Sequence, residues 1–225
     1  MHFYLPKQAV LCIETIEKAG YEAWAVGGCV RDQLLGIEPK DVDIASNAPP
    51  EEILRIFERA LPTGLQHGTV TVLLQGVPVE VTRFRLEGGY IDSRRPGWVA
   101  PAHCVQEDLA RRDFTINAMA WHPEHGLLDP FGGQADLVAK TIRTVGTPLE
   151  RFEEDALRIL RAFRFSARFG FELEPNTLLA ALENAYTLQN ISRERIWHEL
   201  GLTLTARQPD RLAPLCLCDG LAPFG

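Results

Sequence analysis

The 225-residue sequence predicts an α+β domain followed by an all-helical one, and three observations carry that expectation. Short β-branched and apolar runs bounded by turn residues recur as far as residue 145, and none follows. Segments with helical apolar spacing then take over at about 153–169, 175–185 and 192–206. Gly146-Thr147-Pro148 separates the two regimes, which sets the domains at 1–147 and 148–225. No apolar run approaches the roughly 18 residues that a membrane span needs, and the N-terminus has no signal-peptide core, so the expected location is the cytoplasm with no membrane partner.

The elements follow in order. Residues 5–19 place Leu5, Ala9, Cys12, Ile13, Ile16 and Ala19 at helical spacing, and Gly20 ends the helix. A short strand at 23–26 runs into Gly27-Gly28, and a helical turn follows at 30–35. A loop through Gly36 and Pro39 leads to a strand opening on Asp41-Val42-Asp43. Pro49-Pro50 precedes an amphipathic helix over 51–60. Residues 69–74 and 77–84 read as a hairpin turning at Gln75-Gly76, with His67-Gly68 as a turn before it. The polar stretch 87–100, holding Tyr90, Asp92, Arg94 and Arg95, reads as a mobile surface loop. A helix at 105–112, a strand at 118–121, a turn at 129–133, a helix at 134–140 and a last strand at 141–145 complete the domain.

Chemistry is concentrated at 27–43. On a strand, residues two apart share a face, so Asp41 and Asp43 are expected to project together with Val42 turned away. Paired carboxylates repel unless a cation sits between them, and hard oxygen ligands suit Mg²⁺. Gly27 and Gly28 let backbone approach a ligand closely, and the helix start beside them favours an anion. A phosphate cradle beside a metal-binding pair points to metal-assisted phosphate chemistry, with nucleotidyl transfer as the hypothesis. Glu80 supplies a third carboxylate if its strand neighbours that of Asp43; otherwise it is a solvated position on an alternating strand.

Net charge is −7, which argues against a large non-specific nucleic-acid surface but leaves room for a local basic groove. Arg83, Arg85, Arg94, Arg95, Arg111 and Arg112 fall close together in the chain. Arg111 and Arg112 beside Asp113 and Asn117 provide phosphate-binding guanidinium groups next to side chains able to orient them. The five cysteines lack zinc or redox spacing and read as reduced thiols.

Asp155, Arg158, Arg161 and Arg164 recur every third residue on the helix predicted at 153–169. Asp155 and Arg158 as helical neighbours form either a solvated salt bridge or a base reader. A carboxylate only accepts and a guanidinium only donates, so side by side they match an amino donor beside a ring-nitrogen acceptor. Cytosine and adenine offer that edge; uracil and guanine offer the reverse. Arg161 and Arg164 lie further along, where triphosphate oxygens could meet them.

These motifs together resemble the N-terminal half of the class II tRNA nucleotidyltransferases (CCA-adding enzymes), whose relatives include bacterial poly(A) polymerases. The resemblance runs from residue 20 to about 200. It rests in order on Gly27-Gly28 with Arg31-Asp32 and Asp41-Val42-Asp43; on 111–119; on 129–133; on Glu154-Asp155-Ala156-Leu157-Arg158; and on 192–196. It implies a five-stranded mixed sheet with flanking helices as a catalytic head, then a helical neck. It implies that Asp41 and Asp43 bind Mg²⁺ with Glu80 close by. It also implies that Gly27, Gly28, Arg31, Arg112, Asp113, Asn117, Asp155, Arg158, Arg161 and Arg164 bind the nucleotide. The implied activity adds C and A to the 3′ end of tRNA from CTP and ATP, releasing pyrophosphate. A CC-adding or A-adding enzyme, a poly(A) polymerase, and a nucleotide- or RNA-binding module without turnover stand as alternatives; the full-length 87–100 loop favours an enzyme able to add A. Family members continue through further helical domains that hold tRNA, so this chain, ending soon after the neck motifs, is expected to be a fragment or a truncated product.

Overall fold

The computed structural model describes residues 5–89, 97–218 and 221–222. The chain packs as two compact units. One takes the chain up to Leu86 with Ala100–Arg112 and Asn117–Gly133; the other takes Glu87–Val99, Asp113–Ile116 and the chain from Gln134 onward. The packing boundary therefore does not fall at residue 147. The segment before it belongs with the second unit because its strand and loop are bonded there rather than to the sheet of the first.

The first unit opens with α1 (Lys7–Lys18), β1 (Ala23–Val26), α2 (Gly28–Leu34), β2 (Asp43–Ser46) and α3 (Pro50–Ile56). β3 (Ala60–Gly64), β4 (Thr69–Leu74) and β5 (Val77–Arg83) follow. β6 (Arg85–Gly88) and β7 (Trp98–Pro101) form a separate two-stranded sheet, and α4 (Val105–Ala110), β8 (Ala120–His122) and β9 (Gly126–Leu128) complete the first unit. Among the described residues β1–β5, β8 and β9 build a seven-stranded mixed sheet in the order β3-β4-β5-β2-β1-β8-β9. Only β2 and β5 pair in parallel; the other pairings are antiparallel. The sheet exceeds the expected five strands by the two edges, β3 and β9.

Two expectations change here. The helix expected over 51–60 stops at Ile56, because Phe57 turns extended (φ −106°, ψ 130°). Ala60 instead starts β3, which is stabilised by pairing with β4 and accepts Pro62 because it lies at an edge. Residues 87–88 and 98–100 of the expected loop lie in strands, while Tyr90, Asp92, Arg94 and Arg95 lie outside the described residues. The hairpin stands as read: Leu74 pairs Val77 across Gln75 (φ 51°) and Gly76 (φ 81°), a two-residue turn with both φ positive. α1 lies against the sheet and buries Cys12, Ile13 and Ile16, while Ala25, Ile44, Val70 and Val72 bury from the strands.

The second unit contains most of α5 (Gly133–Val138), then β10 (Thr141–Ile142), α6 (Pro148–Glu154), α7 (Leu157–Phe169), β11 (Glu172–Leu173), α8 (Pro175–Glu183), α9 (Arg193–Leu204) and α10 (Ala213–Leu217). Its core joins Phe152, Leu157, Leu160 and Phe163 to Ala181, Leu188, Ile196 and Leu200. The strand expected at 141–145 shortens to β10 and pairs in parallel with β11, so strand pairing does continue past residue 148. The helix expected at 153–169 is two helices. Asp155 breaks it with extended backbone (φ −144°, ψ 103°). Among the described residues no helix is long and apolar enough to cross a membrane.

Candidate active site

The acidic end of β2 is built by strand register. β2 pairs in parallel with β5 so that Asp43 stands opposite Glu80. This is the neighbour relation on which a role for Glu80 depended. Asp41 lies before the strand rather than on it, so the shared-face argument does not place it; its charge nonetheless reaches Asp43. The Asp43 carboxyl is pushed above the usual carboxylate range, first by the protein around it and next by the charge of Glu80, with Asp41 adding and Arg112 opposing. Among the described residues no three His, Cys, Asp or Glu side chains form a metal cage. What the fold brings together is Asp43 and Glu80 across the β2–β5 register, with the charge of Asp41 felt at Asp43. Carboxylates are hard oxygen donors of the kind that suit Mg²⁺ when substrate phosphates and water complete the shell.

The glycines beside it accommodate arginines. Gly27 has φ 75° and ψ −125°, a conformation favouring glycine. A Cβ at Gly27 would stand 2.6 Å from Arg112 Nη1. Arg31, 4% exposed, donates to Asp32 Oδ1 from Nε (2.8 Å) and to Asn117 Oδ1 from Nη1. Arg112 Nη1 donates to the Asn117 carbonyl at 3.4 Å. Two guanidinium groups are thus drawn together through Asn117 beside the Gly-Gly turn. Gly27→Ala is expected to destabilise the fold by about 1–3 kcal/mol and displace Arg112; thermal unfolding and nucleotide titration of the variant check both effects. Cys29, next to the turn, is held up to about 11 by burial and then by the Asp43 charge, so it stays a thiol.

Sequence reading overlooked Asp108. This side chain, 1% exposed, accepts from Arg111 Nε (3.0 Å) and Nη2 (2.7 Å) and from Arg112 Nη2 (3.1 Å). The two arginines hold its carboxyl below the usual range despite its burial. The signal was present as helical spacing, since Arg111 and Arg112 follow Asp108 by three and four residues. Asp113, expected to orient those arginines, binds Arg161 through Oδ2, and its Oδ1 accepts the Phe114 N–H.

Within the second unit, Asp155 stands before α7 and its carbonyl accepts the Arg158 N–H (2.9 Å), while each side chain has another partner. Asp155 Oδ1 accepts the Leu157 N–H (3.1 Å) at the start of α7, and Oδ2 accepts from Arg195 Nη2 (3.2 Å). Arg158, 9% exposed, donates to Glu154 Oε2 and to the Arg151 carbonyl. Arg195, within the 192–196 motif, is thus the side-chain partner of Asp155. Arg164 donates from Nε to Glu199 Oε2 (2.6 Å) and lies 4.2 Å from the Phe165 ring centre. Glu199 also stands within 4.0 Å of Arg161. Glu199 is a neighbour of these residues that motif reading passed over, and Glu154, quoted in the motif without a role, is the partner of Arg158.

The geometry can be set beside known proteins. Residues 23–143 match the family model of the poly(A) polymerase head domain, and residues 170–218 match a model described as a probable RNA and SrmB-binding site of polymerase A. Over 209 residues the chain is 48% identical to the CCA-adding enzyme of Levilactobacillus brevis, covering 93% of this chain and 53% of that protein. The Bacillus stearothermophilus CCA-adding enzyme in complex with CTP superimposes with a TM-score of 0.84 at 41% identity, covering 93% of this chain and 51% of that one. The Thermotoga maritima CCA-adding enzyme complexed with tRNA gives 0.78 at 28% identity, with 94% and 50% covered. The chain thus spans about half the length of the relatives it matches.

Proposed function

Because the chain belongs to the poly(A) polymerase head-domain family, we propose that it is a metal-dependent nucleotidyltransferase that adds C and A to tRNA 3′ ends from CTP and ATP. The observation that carries this reading is the register setting Asp43 against Glu80, with Asp41 upstream and the Arg112 guanidinium over Gly27. A proposed cytoplasmic location suits these substrates.

Asp41 and Asp43 would hold Mg²⁺, with Glu80 alongside. Mg²⁺ when bound supplies charge that lowers the pKa of the attacking ribose hydroxyl and stabilises the leaving pyrophosphate. Arg31 and Arg112 bind phosphate oxygens, and Asn117 keeps both guanidinium groups at the Gly27-Gly28 turn. Asp113 sets Arg161, and Glu199 sets Arg164, as further phosphate donors. Asp155 and Arg158 read the base. Their partners, Arg195 and Glu154, fix each side chain before a base arrives, so the pair is preorganised and need not be bonded to itself.

Arg158→Ala is expected to raise UTP incorporation relative to CTP by about tenfold or more, because a buried polar contact with the correct base is lost. Unchanged discrimination removes the base-reading role. The activity itself is tested by incubating the chain with tRNAs ending before CCA, at C and at CC, supplying each nucleotide alone, and sequencing the products. Addition of C and then A supports the reading. Runs of A on every substrate would make it a poly(A) polymerase, and nucleotide binding without extension would make it a binding module.

A further inference from the structure

We propose that Asp108 is the positioning residue for Arg112, fixing that guanidinium in the orientation that meets the phosphates of the nucleotide. The inference rests on the reading above that Arg112 contacts the incoming nucleotide.

Several observations carry it. α4 ends at Ala110, and the Arg112 N–H still bonds the Leu109 carbonyl (3.2 Å), so the helix end fixes the backbone of Arg112. Its side chain then folds back onto Asp108, which is almost fully buried, while about a fifth of the Arg112 side chain remains open to solvent. The carboxylate divides its oxygens. Oδ1 accepts from Arg111 and from the Arg85 backbone N–H (3.3 Å), and Oδ2 accepts from Arg112. Among the described residues Asp108 is the one carboxylate within ion-pair distance of Arg112. Arg112 Nε is buried without a partner, so the group is aimed by Nη2 on Asp108 and by Nη1 on the Asn117 carbonyl.

Charge points the same way. Arg112 shares the Asp108 carboxylate with Arg111, and its guanidinium also feels the charge of Asp43, which sets it between its support and the acidic end of β2, where a phosphate would meet it. A buried ion pair of this kind adds little net stability, since desolvation offsets much of the attraction, but it fixes geometry. The buried carboxylate therefore acts as the rigid support of a phosphate-binding arginine.

The test is equilibrium binding of CTP, inorganic tripolyphosphate and cytidine to the full chain. Wild type, Asp108→Asn, Asp108→Glu, Arg112→Ala and the Asp108→Asn/Arg112→Ala double variant are compared, with thermal unfolding as the folding control. Asp108→Asn should weaken CTP and tripolyphosphate about tenfold, the loss of one charge-assisted bond, while cytidine binds as to wild type. The same change made on Arg112→Ala should cost nothing more, because both act through one group. Asp108→Glu keeps the charge but moves the carboxylate, so it should show a smaller loss with the same cytidine-neutral pattern; it serves if the Asn variant does not fold. Wild-type affinity in a folded Asp108 variant, an equal loss for cytidine, or additive losses in the double variant would each overturn the proposal. If Arg112→Ala itself leaves CTP affinity unchanged, the nucleotide-contact reading falls as well; if Arg112→Ala weakens CTP and the Asp108 variants do not, the role of Asp108 alone falls.

Discussion

Asp43→Ala should remove nucleotide addition, by on the order of a thousandfold, and leave the chain folded. The backbone of Asp43 is held by register on both sides, to Val26 of β1 and Glu80 of β5, and its side chain is exposed at the strand end although the protein around it takes the carboxyl partly out of water. Losing the carboxylate therefore removes a ligand and no packing. The effect on stability has the opposite sign to the effect on activity. A carboxyl whose folded pKa is raised favours the protonated state in the fold, so above that pKa its charge works against folding. The unfolding midpoint of Asp43→Ala should then exceed that of wild type at pH 7, and the gap should close as pH falls through the carboxylate range. Added Mg²⁺ should raise the midpoint of wild type and not of the variant, since only wild type retains the ligand pair. Retained activity, or an equal response of both proteins to Mg²⁺, would remove Asp43 from the metal site.

The contrast between β2 and α7 shows what sequence could and could not reveal about this site. The β-branched runs at 69–74 and 77–83 and the Gln75-Gly76 turn fix a hairpin locally, because side-chain period and turn chemistry agree. That β5 then lies parallel to β2, with Glu80 opposite Asp43, is a non-local pairing that no local pattern encodes. Asp155 fails for another reason. Its spacing from Arg158 fits a helix, but Asp competes for backbone N–H groups, and here it takes that of Leu157 and starts a new helix. Gly27-Gly28 was legible as a place of close approach, and the neighbour that approaches Gly27 is Arg112. Asp108 and Glu199 escaped because a motif search looks for residues that touch a ligand, and these touch the residues expected to do so.

Glu199→Ala should have the largest effect on stability. The side chain of Glu199 is 7% exposed, and it accepts from Arg164 Nε at 2.6 Å while standing 4.0 Å from Arg161 Nη1. The two arginines are not equally dependent on it. Arg161 keeps Asp113, whose charge is the largest influence raising its pKa. Arg164 is already lowered by burial, and Glu199 is the main group opposing that shift. Removing Glu199 leaves Arg164 inside the second unit with the Phe165 ring and the like charge of Arg161 beside it. Breaking a buried pair in this way costs about 3–5 kcal/mol. For a protein of this size that lowers the unfolding midpoint by roughly 10 °C. Glu199→Gln should cost less, because the amide oxygen still accepts from Arg164 Nε while its charge is lost. Adding Arg164→Leu to Glu199→Ala should recover much of the loss, since the stranded charge is gone. If the double variant is as unstable as Glu199→Ala, the cost lies in the packing of α9 against α7 and not in an uncompensated arginine.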